Sequence, residues 1–154
     1  MRRYGADAGS NFYCVLSLVG LVMKISTFPL DYIDATRNMV HYAKESRPDR
    51  DLDLRIERIF NLSGIHDDHL DRHPESARNY TSSLDDCRHL MARVCPKGKW
   101  NLQMGDDGRY SASVVDDGLE QPNILGSPMN IPSLELAILY VLLTKAHILK
   151  RDEK

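Results

Sequence analysis

Residues 80–147 read YTSSLDDCRHLMARVCPKGKWNLQMGDDGRYSASVVDDGLEQPNILGSPMNIPSLELAILYVLLTKAH, and the succession of patterns in this stretch decides the fold. Ser82 or Ser83 can cap a helix, with Asp85 and Asp86 in its first turn near the positive end of the dipole. Leu84, Cys87, Leu90, Met91 and Val94 then recur at the three-and-four spacing of one buried face. Pro96 and Gly98 stop the helix. KWNLQM alternates strictly, with Trp100, Leu102 and Met104 on one side and Asn101 and Gln103 on the other, as a half-buried strand does. GDDG at 105–108 supplies turn chemistry. Tyr110, Ala112 and Val114 alternate with Ser111 and Ser113, so a second strand returns antiparallel with its apolar face on the same side. The result is a Trp-centred hairpin over about 99–115. Two strands are marginal in water, and a covering helix is required.

IPSLELAILYVLLTKAHIL meets that need as a helix over about 132–149, with Pro132 suited to the first helical position. Every residue from Leu136 to Leu143 is apolar, counting Tyr140, yet the run falls short of the ~20 residues that span a bilayer. A core helix packed on more than one side is the reading, with His147, Lys150 and Arg151 at its negative end. Upstream, Leu30, Ile33, Met39, Val40 and Ala43 predict an amphipathic helix within 29–45, ended by Ser46-Arg47-Pro48. SRPDRDLDLR alternates arginine with aspartate and reads as a mixed-charge linker and helix start whose signs neutralise each other. Leu52, Ile56, Ile59 and Phe60 give the next helix its buried face, with Gly64 as its stop.

The order LDLRIERIFNL, YTSSLDDC, a W-x7-G-R-Y-x-A-x-V hairpin and a P-S-L-E-L-A-I-L-Y helix ending in Lys145-Ala146 resembles the phage "ABA sandwich" family over residues 51–149. The resemblance implies an α+β fold, a small layered helix/antiparallel-sheet/helix (ABA) sandwich. It also implies a phage- or prophage-encoded accessory protein of the bacterial host cytoplasm with no assigned reaction. The chain departs from the family pattern at Ile131, where relatives often carry a Thr cap, and in its His- and Asp-rich 66–79 connection.

At 154 residues the chain can bury a core without staples, and residues 23–154 are expected to form one compact α+β domain. A net charge of -2 offers no general attraction to nucleic acid. Residues 1–22 are the least domain-like. FYCVLSLVGLVM at 12–23 has the look of a signal sequence without a cleavage site after it, and soluble-domain patterning starts only after Met23. Met23 is therefore the expected start of the functional protein, with 1–22 an extension. Cys14, Cys87 and Cys95 form neither a metal spacing nor an even disulfide framework, and Cys87 reads as a small buried hydrophobe.

One stretch tempts a catalytic reading. HDDHLDRH brings His66, Asp67, His69 and His73 close in sequence, and such ligands could hold a divalent ion that activates water in a small metal-dependent hydrolase. Ligands at 66, 69 and 73 share a face only if the segment is helical. Between Gly64 and Pro74, with almost no apolar support, a flexible polar connection is the preferred reading. There is no phosphate loop, G-x-S-x-G, H-E-x-x-H or C-x-x-C. The expectation is a non-enzymatic protein without a cofactor. It would bind a host or bacterial defence protein, or a small signalling nucleotide held at the interface of a homo-oligomer. Nucleic acid and membrane are not expected partners. Tyr80, Trp100, Arg109 and Tyr110 are the candidate contact residues, because aromatic and arginine side chains dominate binding hot spots. The 116–131 loop, with apolar Leu119, Ile124, Leu125 and Met129, is a second candidate surface.

Overall fold

A computed structural model of the chain describes residues 29–62, 64–116 and 123–152. Residues 1–22, the apolar run 12–23, Cys14 and Leu119 lie outside the described residues. The described part is mixed α+β, with five α-helices and a three-stranded antiparallel sheet of order β1-β2-β3.

Helix α1 (Leu30–His41) ends four residues before the expected limit, with Tyr42 as its C-cap. Helix α2 (Arg50–Phe60) starts on Asp49, whose side chain accepts from the Leu52 N–H, and ends where Asn61 adopts a left-handed conformation at φ 50. Asn61, not Gly64, is thus the stop: asparagine tolerates that region, and its N–H closes the last turn on the Glu57 carbonyl. Helix α3 (Asp67–Arg72) and the 3-10 turn Pro74–Ser76 replace the expected flexible connection. The His66 ring accepts from the Asp68 N–H at the start of α3, Asp67 and Asp68 occupy its first turn, and Leu70 is fully buried. A buried leucine, a cap and the long-range Arg58–Asp71 ion pair fix a single turn and a half that sequence polarity alone disfavours.

Helix α4 (Leu84–Val94) is capped by Ser83, whose Oγ accepts from the Asp86 N–H. Strands β1 (Lys99–Met104) and β2 (Tyr110–Asp116) pair antiparallel, with Trp100 opposite Val114 and Met104 opposite Tyr110. The turn closes as its chemistry dictates: Gly108 takes φ 75, and the Asp107 carboxylate accepts from the Arg109 N–H. Strand β3 (Asn123–Gly126) pairs with β2 inside what reads from sequence as a recognition loop. Leu125 enters the core while its strand neighbour Ile124 and, beyond the strand, Met129 stay exposed.

Helix α5 (Leu134–Arg151) lies against β2 and β3, and α1 and α4 pack on it. Its cap is Ser133, whose Oγ accepts from the Leu136 N–H, so Pro132 precedes the helix and does not open it. Ala137 to Leu139 and Val141 to Leu143 are completely buried, which matches an all-round apolar helix at the centre of a core. Among the described residues no helix is long and apolar enough to cross a membrane.

The sheet corrects one expectation. Ala112 and Val114 on β2 are buried, but β1 does not bury its own apolar face to match: Leu102 is 39% exposed and Met104 66%. The apolar faces do lie on the same side, as the register requires. Strand β1 sits at the sheet edge, and α5 is placed over β2 and β3.

Candidate functional site

The linker between α1 and α2 forms one wall of a cavity of about 640 Å³. Its floor is apolar: Met39 and Ala43 come from the end of α1 and the residues after it, Leu52 from α2 and Leu136 from α5. Its rim is ionic. Lys44, Glu45, Arg47 and Asp49 lie along one non-helical segment that runs through Pro48 to Arg50, the first residue of α2. Proline suits this place because it keeps Arg47 out of helical conformation and so separates α1 from α2. A volume of this size falls within the range of small-molecule sites, and its lining is as much charged as apolar.

The rim charges are not equivalent. Arg50, which also lines the cavity, ties down a neighbouring segment. Its guanidinium donates to the carbonyls of Pro74 at 3.1 Å and Ala77 at 2.9 Å, and to the Asn79 side chain at 2.7 Å. It also pairs with Asp53 at 3.1 Å. Asp49 caps α2 and its backbone N–H donates to Thr81 Oγ1. These bonds fix the mouth of the cavity to the 74–81 segment. Arg47 pairs with Glu45 at 3.5 Å, with both side chains largely exposed, an arrangement that a competing anion displaces easily. The Lys44 ammonium has no ion pair among the described residues. Lys44 and Arg47 are the cations on offer to a ligand. Within 47–55 the alternating charges do neutralise one another at Arg50 and Asp53, as the sequence reading has it, while Arg47 pairs outside that run with Glu45.

Behind the mouth lies a buried polar network. Asp53 accepts from the Thr81 N–H at 2.7 Å, and the Tyr80 hydroxyl donates to Glu57 at 3.2 Å. Burial raises the Asp53 carboxyl above its ordinary value, against the opposing pull of Thr81 and Arg50. Burial, reinforced by Glu57, raises the Tyr80 phenol as well.

The four predicted contact residues do not form one surface. Tyr80 is fully buried and bonded to Glu57, so it belongs to the core and is not an accessible contact residue. Its aromatic ring fills apolar space while its hydroxyl meets a polar partner, the usual division for a buried tyrosine. Trp100 and Tyr110 are half-buried and packed against the core from opposite strands of the hairpin. Arg109 is the one that reaches the cavity wall, where its guanidinium donates to the Lys44 carbonyl at 3.5 Å.

The His66, Asp67, His69 and His73 set is not drawn to a point. His66 caps α3, His69 bonds Ser76 at 3.2 Å, and His73 bonds Glu75 at 3.0 Å. The rings of His69 and His73 lie 4.9 Å apart, but each is engaged locally by a different oxygen. Among the described residues no three His, Cys, Asp or Glu side chains are grouped to hold a metal ion. Cys87 and Cys95 also occupy settings unsuited to attack. Burial raises the Cys87 thiol, and burial pushes Cys95 up to about 12, where the thiolate is scarce at neutral pH.

The cavity residues are the ones that sequence reading missed. Their signal is the run Lys44-Glu45-Ser46-Arg47-Pro48 between two apolar helix stripes, a short cationic connection that cannot be helical throughout. Comparison with known proteins found no family model, no curated protein and no solved structure that matches this chain.

Proposed function

We propose that this chain is a phage-encoded, non-enzymatic accessory protein that acts by binding, with the cavity between α1 and α2 as its site. The preferred ligand is a small signalling nucleotide, and through it or beside it a host or bacterial defence component. The observation that carries this reading is the joining of an apolar floor, Met39, Ala43, Leu52 and Leu136, to a rim bearing Lys44 and Arg47. A nucleotide divides in the same way. Its base is a flat, weakly polar body that gains from leaving water, and its phosphate gains from cations. The exposed rim admits the charge while the floor takes the base.

The phage origin rests on the resemblance of residues 51–149 to ABA sandwich proteins. It is supported by the succession α2, α4, β1-β2 hairpin and α5, and by the position of α5 against one face of the sheet. The finer reading, a helix/sheet/helix sandwich with a hairpin centred on Trp100, belongs to the same proposal.

Affinity capture tests it. Tagged protein incubated in lysate from infected bacteria, then washed and denatured, is expected to release a phosphorylated small molecule seen by mass spectrometry. The Lys44→Glu, Arg47→Glu double variant is expected to release little or none. Equal release from both proteins, or none from the parent chain, would refute the assignment.

A further inference from the structure

Among the described residues strand β1 is an open edge of the sheet, and its backbone and side chains are complementary to themselves. The Gly105 N–H donates to the Arg109 carbonyl at 2.8 Å, while Tyr110 exchanges both backbone bonds with Ile131 at 2.7 and 3.1 Å. Ser127 donates to the Ala112 carbonyl at 2.8 Å. Even-numbered residues of β2 therefore bond on the side of β3, and its odd-numbered residues bond β1. With the register Gln103 opposite Ser111 and Asn101 opposite Ser113, the odd residues of β1 use up their groups on β2. The backbone N–H and C=O groups of Trp100, Leu102 and Met104 point outward from the sheet.

Those same three residues carry the apolar side chains that α5 leaves uncovered, with Leu102 and Met104 exposed and Trp100 half-buried. The strand lacks the usual guards. It contains no proline and no bulge, and Lys99 is its single charge. The opposite edge differs: β3 is four residues long, ends in Gly126 and is followed at once by Ser127 and Pro128.

From this edge we infer that two copies of the chain pair through β1 about a two-fold axis at Leu102, joining their sheets into one of six strands. Antiparallel pairing centred there sets Leu102 against its own mate and Trp100 against Met104, all on the same face, where a thioether beside an aromatic ring is favourable. On the other face Asn101 meets Gln103, amide against amide. Lys99 falls opposite Gly105, so the two lysines do not meet. Each of the three outward pairs exchanges two backbone bonds. An isologous contact of this kind closes on itself and stops at two copies. A contact made by one six-residue strand from each copy is small for a specific interface, so the dimer is expected to dissociate on dilution.

Sedimentation of the full chain over a concentration series tests the pairing. The mass is expected to rise from 17.5 kDa to twice that value. Met104→Lys should raise the dissociation constant at least tenfold with an unchanged melting temperature, since the side chain is exposed in a single copy. In a Cys14→Ser background, Leu102→Cys should cross-link to its mate on mild oxidation, and Met104→Cys should cross-link far less. Three results would each overturn the inference. These are a monomer at every concentration, as when another segment of the same chain covers the edge, a dimer indifferent to Met104→Lys, or preferential cross-linking of Met104→Cys.

Discussion

Lys145 and Asp116 meet at 2.7 Å with both side chains 1% exposed, and Lys145 also donates to the Val94 carbonyl at 2.6 Å. That carbonyl ends α4, so one ammonium joins α5, β2 and the negative end of α4. Removing the ammonium leaves the buried Asp116 carboxylate without that cation, at a cost of about 3–5 kcal/mol. Lys145→Met is therefore expected to lower the denaturant midpoint sharply, and a midpoint within error of the parent would show that the pair contributes little. Asp53 makes a finer test. Its folded carboxyl lies above the ordinary value of 3.8, so the stability it contributes is complete below the unfolded pKa and is lost as pH rises through the folded one. Asp53→Asn keeps an acceptor for the Thr81 N–H and cannot ionise. Relative to the parent it should gain stability as pH is raised from about 3 to about 7, and a difference flat with pH in urea titrations would count against burial as the cause. Asp53→Ala, which also removes the acceptor of the Thr81 N–H, should be less stable than Asp53→Asn by about 1–3 kcal/mol, with the same dependence on pH relative to the parent.

At the scale of elements, the turn after α4 and strand β2 approach closely at Gly98, where an added Cβ would stand 2.7 Å from a Val114 methyl and 3.0 Å from the Cys95 Cβ. Gly98→Ala is expected to cost about 1–3 kcal/mol through forced repacking, measured by thermal unfolding, whereas Gly105→Ala faces mainly the tip of Asp107 and should cost less. Much of this level is legible in the sequence. The cap at Ser83, the turn at 105–108 and the alternation of the two hairpin strands all follow from local chemistry, whereas the opening of α5 falls to Ser133 and not to Pro132. What escapes a sequence reading depends on distant parts. Strand β3 is four residues whose identity comes from β2, α3 is held by a buried leucine, a cap and the Arg58–Asp71 ion pair to α2, and the exposure of Met104 reflects where α5 lies. Alternation says which side of a strand is apolar; it does not say whether anything covers that side.

For the whole molecule, the site is less legible than the fold. Tyr80 reads as a contact residue by type and is a core residue in the structure, because a buried Glu57 accepts its hydroxyl. The linker charges read as solvated, yet Arg50 crosses to the 74–79 segment and leaves Lys44 and Arg47 at the rim of the cavity. Such a division of labour among neighbouring cations is set by tertiary structure alone. Calorimetric titration of the purified chain with a cyclic dinucleotide and with the corresponding nucleosides tests the binding assignment most directly. Saturable binding of the nucleotide is predicted, weakened at least tenfold by Lys44→Ala with Arg47→Ala and by added salt, with little binding of the nucleosides. Absence of heat and of any shift in melting temperature with nucleotides up to millimolar concentration, or binding untouched by the double variant, would contradict it.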